Sequence, residues 1–153
     1  MSRLKRKYRV MVADDFAEHG IMLACAMRQT RALQVIHMVT TSREAIRYLI
    51  GKGCYADREK FPLPEVLVTE LGMPCLEVLS LLAELRFENF RLPLRIVLTG
   101  SPISKHREEA KRLGADGYFT KPERFKGLVR IAREIEKLVL GKRGEERELA
   151  QFV

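Results

Sequence analysis

A chain of 153 residues with 46% hydrophobic content is long enough for one domain with a sizeable core, and the lack of any run of about eighteen apolar residues excludes a membrane-spanning helix. The net charge of +8 invites phosphate-rich partners, but Arg3, Lys5, Arg6, Lys7 and Arg9 all sit in the leading arm and the tail "GKRGEEREL" is mixed in sign, so the charge reads as solvated arms rather than a nucleic-acid surface. Cys25, Cys54 and Cys75 are odd in number and lack CxxC spacing, which excludes a disulfide framework and a sulfur-ligated metal site and leaves reduced, structural thiols.

The N-terminus passes from basic residues straight into a strand, without the apolar segment of a signal peptide, which predicts a cytoplasmic protein with no membrane attachment. That first strand is "YRVMVA" (8–13). A helix from about Ala17 to Thr30 follows, with Ile21, Cys25 and Arg28 in register and Leu23, Ala24 and Met27 widening its apolar face. Strand two is "LQVIHMV" (33–39). Helix two, "TSREAIRYLI" (41–50), opens on a Thr or Ser cap with Glu44 placed for a capping box and closes at Gly51. The charged, proline-terminated segment "GKGCYADREKFPLP" (51–64) reads as a surface insertion before strand three, "EVLVTE" (65–70).

Helix three is expected over Leu76 to Phe87, strand four over "LRIVLTG" (94–100), and helix four over Ser104 to Leu113 with Gly114 as stop. Strand five is "DGYFTK" (116–121), and helix five runs from Arg124 to Leu140 with Gly141 as stop. The chain thus divides into a basic arm (1–7), a domain (8–141) and a frayed or mobile tail (142–153). Alternating strand and helix five times predicts parallel strands joined by right-handed crossovers, a doubly wound α/β sheet with helices on both faces. Near-continuous apolar strands agree, because a central parallel strand is covered on both sides.

In such sheets the ligand site lies at the carboxyl ends of the strands. Asp14 and Asp15 stand there after strand one, Glu70 after strand three, Thr99 after strand four, and Lys121 with Pro122 after strand five. Adjacent carboxylates repel unless a cation joins them, and hard oxygen ligands suit Mg²⁺. A hydroxyl and an ammonium are what a bound phosphoryl group needs. Taken singly, Asp15 reads as a helix cap, Thr99 as a capping hydroxyl and Lys121 as a surface lysine; together at one rim they read as a site.

Four segments, "VMVADD", "VLVTELGMP", "IVLTGS" and "GADGYFTKP", in this order resemble the motifs of response-regulator receiver domains of two-component signalling, over about residues 8–140. The insertion further resembles single-domain receivers of the cyanobacterial phytochrome-associated type. The resemblance implies a flavodoxin-like five-stranded parallel sheet of order 2-1-3-4-5. It implies Mg²⁺ held by Asp14 and Asp15 with the Gly72 carbonyl, phosphoryl contacts from Thr99 and Lys121, and Tyr118 as an aromatic switch residue. Position 70 is the phospho-acceptor, which the family fills with Asp.

Here it is Glu70, whose extra methylene displaces the carboxylate by about 1.5 Å. In-line attack on phosphorus depends on positioning at that scale, so acyl-phosphate formation should be largely abolished. The loop "MPCLEVL" is also shorter than the family's, which alters the setting of the Gly72 contact, so that Mg²⁺ stays possible, with binding weak or absent. The expectation is a non-enzymatic pseudo-receiver that works through protein contacts. Its partner is a histidine kinase or another signalling protein, and a homodimer through the helix four to helix five surface is the further option. Glu70 either imitates the phosphorylated state, within reach of Lys121 and Thr99, or forms an inert ion pair with Lys121. Two other functions stay open: an active, Mg²⁺-dependent phosphoryl-accepting receiver, and a basic nucleic-acid-binding module using the Arg3 to Arg9 arm.

Overall fold

The computed structural model describes residues 6–70, 75–84, 93–100 and 104–151. Five parallel strands, β1 (Tyr8–Ala13), β2 (Leu33–Val39), β3 (Val66–Thr69), β4 (Leu94–Thr99) and β5 (Gly117–Thr120), form one sheet of order β2-β1-β3-β4-β5. Between and after them run α1 (Ala17–Met27), α2 (Ser42–Ile50), α3 (Cys75–Glu84), α4 (Ser104–Arg112) and α5 (Phe125–Gln151). This is the expected doubly wound fold.

The period-2 alternation of strand side chains divides the core between the two sheet faces. Val10 and Val12 of β1, Val66 and Val68 of β3, and Ile96 and Leu98 of β4 pack with Leu23, Met27, Ala132, Ile135 and Val139 from α1 and α5. Met11, Ala13 and Leu67 point the other way, onto Ala45, Tyr48, Leu49, Val78 and Leu82 of α2 and α3. Each fully buried Leu, Ile or Val contributes roughly 1.5–3 kcal/mol.

The buried face of α1 differs from the expected register. Gly20, Leu23, Ala26 and Met27 are buried, while Ile21 and Met22 are exposed. Helix α1 packs against both β2 and α5, and the small residues Gly20 and Ala26 lie on its buried face. The capping box of α2 is half-built: Thr41 Oγ1 accepts the Glu44 N–H at 3.1 Å, but the Glu44 carboxylate turns to Arg47 and Tyr55.

Segment 51–64 does more than decorate the surface. A 3-10 turn at Gly53–Ala56 buries Tyr55, which packs with Phe61 against Tyr48 and His37. Arg58 closes the end of α2 by donating to the carbonyls of Tyr48 and Leu49 at 2.8 and 3.0 Å.

Gly51 and Gly114 stop their helices as expected, with φ of +71° and +97°. Gly141 does not: α5 continues through it to Gln151. The Lys, Arg, Glu, Leu and Ala residues that follow favour helix strongly enough to offset the roughly 1 kcal/mol glycine penalty. Lys142 also ties this stretch to Asp116 at the start of β5. The first five residues of the basic arm, the end of expected helix three and Gly72 lie outside the described residues. No helix among the described residues is long and apolar enough to cross a membrane.

Candidate functional site

Three of the rim residues are pinned by a ladder hydrogen bond that extends one step past the strand. Asp14 N–H donates to Val39 O at 3.0 Å, Glu70 N–H to Ala13 O at 3.0 Å, and Lys121 N–H to Thr99 O at 2.7 Å. The parallel register therefore brings residues far apart in sequence to one place. Asp14 Oδ1 accepts the Phe16 N–H at 2.9 Å, an Asx turn that leads the chain into α1.

The side chains of Asp14, Glu70 and Lys121 meet. Lys121 Nζ lies 2.5 Å from Glu70 Oε2 and 2.8 Å from Asp14 Oδ2, and both acids are buried. A third acceptor, absent from the sequence reading, completes the set: His19 Nδ1 stands 2.6 Å from Lys121 Nζ. An ammonium has three donors and no acceptor, so Nδ1 is the accepting atom of this contact. The nearby 3.6 Å approach of Nδ1 to Asp14 Oδ1 is then proximity rather than an ion pair. His19 lies in the first turn of α1, which starts at the rim, but nothing in its local sequence marks the contact with Lys121.

Burial works against the charge on Lys121, but the hydrogen bonds and charges of Asp14 and Glu70 together outweigh it and hold its pKa above the ordinary lysine value. Asp15 is exposed and has no ion-pair partner among the described residues. Thr99 is buried at the end of β4, joined to Lys121 through the backbone. Tyr118 is half-buried against Leu79, Val97 and Ala110, with the Arg107 guanidinium 5.8 Å above its ring.

As arranged, these acids do not fit a divalent cation. Asp14 commits one oxygen to Phe16 N–H and the other to Lys121, and Glu70 gives Oε2 to the same ammonium. Among the described residues no group of three His, Cys, Asp or Glu side chains is open to hold a metal ion, the three that meet here being gathered on the Lys121 ammonium. Beside the rim, His19, Met22, Leu98, Lys121, Phe125 and Leu128 line a cavity of about 310 Å³.

The fold is that of response-regulator receiver domains. No family model matches the sequence, and no curated protein does. Among solved structures the chain is similar to response regulator RPA3017, in red light signaling of R. palustris, at 26% identity and a TM-score of 0.72 over 84% of this chain and 90% of that one. It is similar to the phosphorylated cyanobacterial phytochrome response regulator RcpA at 24% identity and a TM-score of 0.72, over 89% and 96%. It is also similar to the Mn²⁺-bound form of response regulator Rcp1, at 21% and 0.69, over 84% and 91%. Phytochrome-linked receivers thus stand among the structural neighbours, in line with the resemblance carried by the insertion.

Proposed function

We propose that the protein is a receiver module of two-component signalling that acts through protein contacts and is not phosphorylated at Glu70. The observation that carries this is the 2.5 Å contact between Glu70 Oε2 and Lys121 Nζ. An ammonium whose three donors already face Glu70, Asp14 and His19 has none to offer an incoming phosphoryl group. A carboxylate brings one charge where a phosphoryl group brings up to two, so Glu70 imitates the modified state only in part.

The partner is a histidine kinase or another signalling protein. Exposed apolar side chains support protein contact near the rim: Phe16 packs on the His19 ring, and Met22 and Phe125 line the adjoining cavity. A nucleic-acid role gains little support, since Arg6 and Arg9 both pair with Glu65. The test is to incubate the protein and its Glu70→Asp variant with Mg²⁺ and a small phosphodonor and record intact masses. The native chain is expected to gain nothing; a phosphoryl adduct on native protein would return the reading to an active receiver.

A further inference from the structure

We propose that Lys121 is the resident cation of this rim, so that the native protein neither needs nor tightly binds a divalent ion there. This deepens the proposed function and rests on it for its meaning in signalling, but it is tested by metal binding rather than phosphoryl transfer, so either can fail alone. The ammonium lies within 2.8 Å of oxygens on both buried acids, Asp14 and Glu70. A divalent ion bridging those oxygens at the usual 2.0–2.6 Å requires the space the ammonium fills and meets its positive charge at contact range.

His19 makes the arrangement a closed one. It covers the third donor of Lys121 from the first turns of α1, and its ring is in turn tilted against Phe16 at a centroid distance of 5.1 Å. Asp15, exposed and outside this contact, is left as a single carboxylate. Lys121 thus does electrostatically what a metal does, holding two acids together, while being part of the chain and independent of ion supply.

Removing the ammonium leaves two buried carboxylates facing each other, a hard-oxygen site that only a cation can relieve. The experiment is a titration of Mn²⁺ against native protein, Lys121→Met and Lys121→Gln, read by loss of the free-ion paramagnetic signal and by Tm with and without Mn²⁺. Native protein is expected to leave the signal and Tm unchanged. The variants should melt lower in chelator, recover with Mn²⁺, and bind it at least about tenfold more tightly than native protein, because the repulsion from the ammonium at contact range is gone. Native protein that binds Mn²⁺ as tightly as the variants, or whose Tm rises with it, overturns the proposal. The native titration decides the matter even if neither variant folds.

Discussion

Glu70 and Lys121, separated by fifty residues and placed after non-adjacent strands β3 and β5, form an ion pair of which only 8% and 17% of the side chains remain exposed. A pair so far out of water is held in place by its geometry, because each charge has lost hydration that its polar neighbours must replace. Glu70→Gln keeps the shape and removes the charge. Breaking a buried pair typically costs 3–5 kcal/mol, but Asp14 still balances Lys121 here, so a loss of about 1–3 kcal/mol is expected. The midpoint of urea denaturation at pH 7 measures it.

The raised pKa of Lys121 sets a dependence on alkaline pH. Folded Lys121 holds its proton more tightly than the unfolded chain, whose lysine titrates near 10.5. Its contribution is therefore full below that value and is lost as pH rises through the folded-state pKa. Native stability should fall above pH 10.5 with a slope from this group of at most about 1.4 kcal/mol per pH unit, and Lys121→Met should lack that component.

His37 behaves in the opposite sense. Burial beneath Tyr48 lowers its pKa, and the nearby Glu44 charge offsets this only in part. The unfolded chain takes up the proton first, near pH 6.5, so stability is full above that pH and declines as pH drops toward the folded value. His37→Phe keeps an aromatic ring on Tyr48 and should flatten the decline. Chemical denaturation at a series of pH values from 7 downward shows the difference.

Gly51 ends α2 with φ of +71°, and a Cβ there would stand 2.9 Å from Arg58 Nη2. Gly51→Ala should cost about 1–2 kcal/mol from backbone conformation alone, and more as Arg58 is pushed from the carbonyls it caps. Gly100→Ala meets nothing within 4 Å and serves as the near-neutral control in thermal melts.

Strand order and the place of the rim were legible because they follow from alternation and from where parallel strands end. Asp14, Glu70 and Lys121 meet because each directly follows a strand whose register the apolar pattern fixes. Gly141 misled because a glycine stops a helix only where the next residues favour turning away, and here they favour helix. Tyr55 and Phe61 looked like parts of a polar loop because no period marks side chains that enter a core from an irregular segment. His19 was hidden for a related reason: its role depends on what lies beneath it across the sheet, not on its neighbours in sequence.

The claim that Glu70 and Lys121 act as one electrostatic unit is tested most directly by a double-mutant cycle of Glu70→Gln, Lys121→Met and the double variant, measured by urea denaturation at neutral pH. The account predicts a coupling energy of about 1–3 kcal/mol, with the double variant less destabilised than the sum of the two singles. Additivity within about 0.5 kcal/mol would contradict it, showing that the two side chains stand together at the rim without depending on each other.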